Sequence, residues 1–390
     1  MIYFSAVGMV NALGGQLDEI ANNLAAGYAP GISLQSPWLT SKQPIWLGQV
    51  FSPLPEIPAT LALHRSRNNR LLMAALQQIQ PQVDDAIARY GADRVAVVMG
   101  TSTSGIAEGE EAVQFSQQRG DFPAGYHYQQ QELGDPARFL SRLLGVSGAA
   151  YTLSTACSSS ARAIISGQRL IAAGLADVVL VGGADSLCRM PINGFASLEA
   201  LSADRCQPFA ADRDGINIGE AAALMLLTRE SAAVALLGVG ESSDAWHMSA
   251  PHPQGEGAER AMRMALQQAG MVAEDLGYIN LHGTATEQND RVEAQVIARL
   301  CGNRVPCSST KHLTGHTLGA AGATEAALSW LLLTRAIPLP RQDFSRSAAD
   351  ARLGDIGLVT DEQYLAKGAI LSNSFAFGGN NASILLGVPQ

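Results

Sequence analysis

Between residues 151 and 183 the chain runs "YTLSTA", then a small-residue stretch, then "DVVLVGG", and this order of runs constrains the fold more than any other feature. Ala161, Ile164, Ile165, Ile171 and Ala172 recur at the spacing of one helix face, and Gly174 supplies a stop. The unit reads as strand, helix, strand. The same grammar returns later, where "YINLHG" and "VPCSS" read as strands, and "RVEAQVIARLCG" and "GAAGATEAALSWLLLTRA" as helices. Each half also closes on paired strand-like runs, "ADVVLVGG" with "EAAALMLLT" and "GAILSNS" with "ASILLGV". The alternation predicts an α/β fold with buried sheets. The internal likeness predicts two duplicated halves, residues 1–230 and 231–390. Residues 2–8 are expected to form the first core strand, and residues 30–60, with six prolines, an irregular connector.

Composition narrows the class. With 47% hydrophobic and 16% charged residues, the 390-residue chain has the apolar surface a packed interior requires. No apolar run approaches the roughly 18 residues that span a bilayer, and no Lys or Arg precedes Lys42, so the positive region of a secretory signal is missing. The cysteines Cys157, Cys188, Cys206, Cys301 and Cys307 form no CxxC pair and no metal-ligand spacing, which argues against a disulfide scaffold and against zinc. A reducing, cytoplasmic setting is expected. A net charge of −9 argues against general nucleic-acid binding. The segment "HRSRNNR", with Arg65, Arg67 and Arg70, is either a solvated helix face or a local basic patch.

Three clusters can carry chemistry. Cys157, in "STACSSSA", falls where a strand gives way to a helix, so unpaired backbone N–H groups and the positive end of the helix dipole are expected to lower its pKa. The alternative is a small buried packing residue. In "LHGTATEQNDRVEA", His282 ends a strand, Asp290 is positioned to cap the next helix, and Glu293 falls on its first turn, where a solvated charge is the default. A neutral imidazole there can donate from one ring nitrogen if a hydrogen bond fixes the other, or it is a structural loop histidine. In "SSTKHLTGHTLGAAGATEA", only three of the 26 basic residues of the chain are lysines, which sets Lys311 apart from surface decoration. His316 enters a Gly- and Ala-rich helix start, with His312 as a bystander. The loop "NSFAFGGNNAS", residues 373–383, is either a hairpin turn or a presenter of backbone N–H groups anchored by Phe375 and Phe377.

Taken together, these motifs, with "PFAADRDGINIGEAAALMLL" between them, resemble those of the elongating β-ketoacyl-[acyl-carrier-protein] synthases. The resemblance implies a thiolase-like fold with duplicated βαβαβ halves in five layers, and a dimer, either of identical chains or with a chain-length-factor-like subunit. It implies Cys157 as acyl acceptor, and the backbone N–H groups of Cys157 and Phe377 as oxyanion hole. His282 and His316 would stabilise an enolate, and Lys311 would orient that site with Glu293 as its partner. Phe375 would be a gate, and Thr284 and Thr286 would contact the phosphopantetheine arm of an acyl carrier protein. Arg65, Arg67 and Arg70 would offer that carrier a basic patch. No metal or other cofactor is implied. Four residues depart from the family pattern: Ala376, which replaces a glycine, Asn380, Ala285, and Glu199, which stands where an arginine is common. They point to a specialised system of the aryl-polyene or type II polyketide kind. A thiolase would need a second cysteine near the 373–383 loop, where none occurs, and a non-condensing chain-length factor would lack the nucleophile.

Overall fold

In the computed structural model, which describes residues 1–389, the apolar runs become strands of one ten-stranded sheet. Its strands are β1 (Ile2–Val10), β2 (Val95–Gly100), β3 (Ala150–Leu153), β4 (Val178–Asp185), β5 (Ala221–Thr228), β6 (Ala235–Ser243), β7 (Tyr278–Asn280), β8 (Cys307–Ser308), β9 (Ala369–Ala376) and β10 (Asn380–Gly387). Their spatial order is β8-β7-β9-β10-β6-β1-β5-β4-β2-β3. Two runs of five strands share one pairing pattern. In the first, β3 and β4 flank β2 in parallel, and β5 joins β4 and β1 antiparallel. In the second, β8 and β9 flank β7 in parallel, and β10 joins β9 and β6 antiparallel. Across the junction of the runs Ile2 pairs with Leu236 and Tyr3 with Ala235, and Phe4 N donates to the Val234 carbonyl at 2.9 Å. The two expected strand pairs, β4 with β5 and β9 with β10, are both present.

Every residue of β4 and of β5 is buried, which is why their sequences lack polar alternation. The period of two is still there. Val179 and Val181 of β4, with Met225 and Leu227 of β5, pack toward α4 (Ser159–Ala172) and α7 (Ala321–Thr334). Val178, Leu180, Leu224 and Leu226 turn the other way, onto α1 (Arg67–Gln77), α2 (Gln80–Tyr90) and α3 (Asp135–Leu144). The second run repeats the division. Ile370, Ile384 and Leu386 face the central α4/α7 layer, while Leu371 and Leu385 face α5 (Glu256–Ala269) and α6 (Glu287–Leu300). The result is five layers, helix, sheet, helix, sheet, helix. Burying one large aliphatic side chain contributes about 1.5–3 kcal/mol, so the two-sided strands supply a large share of the stabilisation.

Two features of the middle layer place the site. A Cβ on Gly322 of α7 would sit 2.7 Å from the Ala161 Cβ of α4, so only glycine lets the helices approach this closely. That contact brings the segment before α4, with Cys157, against the segment before α7, with His316. Residues 30–60 are less irregular than expected: Ile32–Gln35 and Ile45–Gly48 pair, and join Ile218–Gly219 in a small three-stranded sheet. That sheet holds the backbone of His316, whose N–H donates to the Asn217 carbonyl at 2.7 Å and whose carbonyl accepts from Gly219 N at 2.9 Å. Among the described residues, no helix is long and apolar enough to cross a membrane.

Candidate active site

Cys157 lies one residue before the N-cap Ser158 of α4, and Ala156 before it adopts a left-handed φ of 51°. The serines that follow close this turn. Ser158 Oγ donates to the Thr155 carbonyl at 2.8 Å, Ser159 Oγ to the Ala156 carbonyl at 2.6 Å, and Ser160 Oγ accepts from Ala323 N at 2.8 Å, tying the turn to α7. Cys157 is 6% exposed and opens on a cavity of about 420 Å3 that it shares with His282, His316, Phe375 and Phe377. Thr284, Thr286, Glu199 and Leu198 also line this cavity.

The two histidines converge on the thiol from the second half of the chain. His316 Nε2 is 3.0 Å from Cys157 Sγ, and its Nδ1 accepts from Leu318 N at 3.2 Å. An Nδ1 occupied as an acceptor leaves the proton on Nε2. His282 is fixed in the same sense: the Lys311 ammonium lies 3.4 Å from its Nδ1 and donates to its backbone carbonyl at 2.5 Å. The rings meet edge to face with centroids 5.6 Å apart. Burial, then the Lys311 charge, holds both imidazoles well below the usual histidine range, so each is neutral. Two N–H donors therefore face one cavity without an acidic proton behind them. The Cys157, His282 and His316 ligand atoms all lie within 4.8 Å of one another. The buried Lys311 ammonium opposes a second cation there, and the set is better suited to a developing anion.

Several expectations need correction. Lys311 pairs with Glu325 of α7, Nζ to Oε1 at 2.5 Å with both side chains buried, and not with Glu293. Glu293 is itself buried and accepts from the backbone N–H groups of His282 at 2.7 Å and Gly283 at 2.8 Å, so it holds the His282 loop by its main chain. Burial pushes the Glu293 carboxyl up to about 7 against these bonds. Asp290 does not cap the helix. Thr286 occupies the N-cap, and the buried Asp290 carboxylate accepts from Phe209 N at 2.8 Å and Ala285 N at 3.2 Å. Cys157 is not an acidic thiol: burial pushes it up to about 11, although Lys311 and the backbone N–H groups of Phe377 and Cys157 pull it down. A helix terminus contributes about 0.3–1 kcal/mol at exposed positions and up to ~2 in buried ones, too little to reverse that shift.

The basic patch also fails as a unit. Arg67 spends its guanidinium on the buried Glu220 at 2.5 Å, and Arg70 on the Leu54 and Pro55 carbonyls and Glu56, leaving Arg65 as the exposed member. Ala376, in place of glycine, brings no backbone strain because its φ is −109°; the left-handed positions fall on Gly378 and Gly379. Asn380 accepts from Arg162 at 3.3 Å, and Ala285 is buried with φ of 63°. The Phe375 ring meets His282 edge-on with centroids 6.0 Å apart, and the Phe377 ring lies tilted against Phe195 at 5.6 Å. Glu325 escaped the sequence reading although a signal existed. It is the one charged residue in the fourteen of α7, and a lone carboxylate in an apolar helix requires a buried cation.

The chain is similar to known proteins in sequence and in fold. Residues 61–233 match the family described as β-ketoacyl synthase, N-terminal domain, and residues 233–344 match β-ketoacyl synthase, C-terminal domain. A 3-oxoacyl-[acyl-carrier-protein] synthase 2 of Rhizobium meliloti (strain 1021) is 40% identical over 258 residues, which is 61% of each chain, so the match spans less than two thirds of that relative. The protein of the same description in Staphylococcus aureus (strain COL) is 31% identical over 341 residues, 82% of both chains. Among solved structures, a ketosynthase (ApeO) in complex with its chain length factor (ApeC) from Xenorhabdus doucetiae superposes with a TM-score of 0.97 at 61% identity, covering 100% of this chain and 98% of that one. A β-ketoacyl synthase from Burkholderia phymatum STM815 gives a TM-score of 0.85 at 26% identity, covering 100% and 99%.

Proposed function

The chain belongs to the β-ketoacyl synthase family, and on that premise we propose that it catalyses decarboxylative condensation of an acyl group held on Cys157 with a malonyl unit held on an acyl carrier protein. The observation that carries the reading is the pair of neutral imidazoles, each with Nδ1 occupied, over a thiol.

In the first step the thiol sulfur of Cys157 attacks the acyl thioester. The tetrahedral oxyanion is met by the N–H groups of Cys157 and Phe377, the two that already act on the sulfur. One such donor is worth about 3–4 kcal/mol in acyl transfer. The carrier thiol leaves with the proton that Cys157 gives up, so the elevated thiol pKa exacts no net proton. In the second step the malonyl carboxylate departs as carbon dioxide, and its electron pair becomes an enolate on the thioester oxygen. Nε2–H groups of His282 and His316 donate to that oxygen. Being neutral, they stabilise the charge without protonating the carbon that must attack. That carbon then attacks acyl-Cys157 and expels the Cys157 thiolate, giving a β-ketoacyl chain two carbons longer. Lys311 and Glu293 hold His282 by its ring and main chain respectively, Phe375 gates the cavity, and Thr284 and Thr286 receive the phosphopantetheine arm. The chemistry calls for no metal or redox cofactor.

We read residues 1–230 and 231–390 as the duplicated halves, a division supported by the repeated pairing order. The partners are the acyl carrier protein and a second subunit. The 61% likeness to a ketosynthase solved with its chain length factor supports a chain-length-factor-like partner and an aryl-polyene or related setting over a homodimer. Five free, buried cysteines fit a reducing cytoplasm. The test is reconstitution: acyl-carrier and malonyl-carrier supplied to the protein with its partner yield carbon dioxide and β-ketoacyl-carrier in equal amounts. Carbon dioxide without the β-keto product would leave a decarboxylase, and neither product would leave a non-condensing subunit.

A further inference from the structure

Asp185 ends β4 behind the site, is fully buried, and among the described residues forms no salt bridge. Its carboxylate collects donors from two directions. Oδ1 accepts from Thr101 Oγ1 at 2.9 Å, Ser102 N at 2.8 Å, and both Thr103 N and Thr103 Oγ1 at 2.7 Å. Oδ2 accepts from Ala320 N at 2.9 Å. The first set belongs to the loop after β2, where Ser102 Oγ donates to the Ala156 carbonyl, next to Cys157, at 3.4 Å. The single bond on Oδ2 belongs to the turn after His316. One side chain thus joins the two segments that carry the thiol and the imidazole.

Both segments are strained where they join. Ala156 has φ of 51° and Leu318 has φ of 51°, a region that side chains other than glycine rarely occupy. Such conformations persist only when their surroundings over-determine them. The same turn presents the Leu318 N–H to His316 Nδ1 at 3.2 Å. Gly319 leaves room for the carboxylate, since a Cβ there would lie 2.8 Å from Asp185 Oδ2. Asp185 is also near enough for its charge to raise the Cys157 thiol.

We propose that Asp185 is a positioning residue that keeps the loop beside Cys157 and the turn after His316 in one register, and through that turn fixes which ring nitrogen of His316 carries the proton. The proposal rests on the condensing reading of the site but extends to a residue that touches no substrate. In Asp185→Asn the amide oxygen takes the four donors on Oδ1, and the amide N–H groups then face Ala320 N, donor against donor. The turn loses its anchor, and Leu318 N–H drifts off Nδ1.

The test uses histidine labelled with nitrogen-15 in the intact protein with its partner subunit, and malonyl-carrier decarboxylation as the kinetic readout. In the wild type the His316 signals report a protonated Nε2 and a bare Nδ1. In Asp185→Asn they report a mixture of tautomers, and kcat for decarboxylation falls by at least about tenfold while KM for malonyl-carrier stays within about twofold. Thr103→Val, which removes one donor and keeps the carboxylate, shows the same changes more weakly, about threefold in kcat, and serves if Asp185→Asn does not fold. Unchanged His316 signals with kcat within about twofold of wild type, in whichever of these variants folds, overturn the proposal. A wild type that decarboxylates nothing would instead overturn the condensing reading, and the tautomer signals would still judge Asp185.

Discussion

Removing Glu325 separates what the buried ion pair does for stability from what it does for chemistry. Lys311 and Glu325 are 1% and 2% exposed and 2.5 Å apart. At that separation and an effective dielectric of about 20, their attraction is about 7 kcal/mol, but desolvating the two ions costs several kcal/mol each, so the pair contributes little net stability. Glu325→Leu alone leaves the ammonium buried and uncompensated, at a cost of about 3–5 kcal/mol. The double variant Lys311→Met/Glu325→Leu removes both charges, and its stability is expected to return to within about 1 kcal/mol of wild type. Catalysis does not return with it. Without the Lys311 ammonium, His282 Nδ1 loses its hydrogen bond and Nε2–H is no longer the fixed donor, a loss expected to lower decarboxylation by about 10²–10³. Urea unfolding followed by circular dichroism gives the first quantity and carbon dioxide release from malonyl-carrier the second. If the double variant is as unstable as Glu325→Leu, the two side chains do not compensate one another. Full recovery of decarboxylation would show that Lys311 does not act through His282.

Other consequences are more direct. Cys157→Ala abolishes chain extension but keeps decarboxylation of malonyl-carrier, because the imidazole donors are intact; extension by this variant, followed by product mass, would remove Cys157 from the nucleophile role. Alkylation of Cys157 by iodoacetamide rises about tenfold per pH unit from 7 toward 10, as a thiol pushed up to about 11 requires; a rate already flat at pH 7 would restore the acidic thiol. For Glu293, raised from 4.5 to about 7, the stabilising protonated form is fully present below pH 4.5 and lost as pH rises to about 7. Glu293→Gln therefore flattens the decline of unfolding free energy across that window, and an unaltered slope in urea titrations would mean the carboxyl ionises as freely folded as unfolded.

The sequence made some of this plain. Continuous apolar runs marked β4 and β5 because both of their faces are covered, and shorter apolar runs marked β9 and β10, which also carry buried Ser372, Asn373 and Ser383. Cys157, His282 and His316 stood out because each sits beside glycines, alanines or serines that keep backbone close to a ligand, and Lys311 because lysine is rare in the chain. What escaped depends on tertiary contact. Lys311 pairs with Glu325 of α7, whereas the family resemblance pointed to Glu293 of α6, and only the packing of the two helices decides between them. The helix start before α4 argued for an acidic thiol, yet burial, invisible in a local reading, outweighed the dipole. Arg67 read as surface charge because Glu220, its buried partner, is 153 residues away. Asp185 gave no warning beyond a charge at the end of an eight-residue apolar strand.

The most direct measurement is peptide-level mass spectrometry of the protein with its partner, first after acyl-carrier and again after a chase with malonyl-carrier. An acyl mass on the Cys157 peptide that disappears in the chase as β-ketoacyl-carrier forms is the expected result. An acyl group on another residue, or one on Cys157 that malonyl-carrier does not remove, would contradict the account.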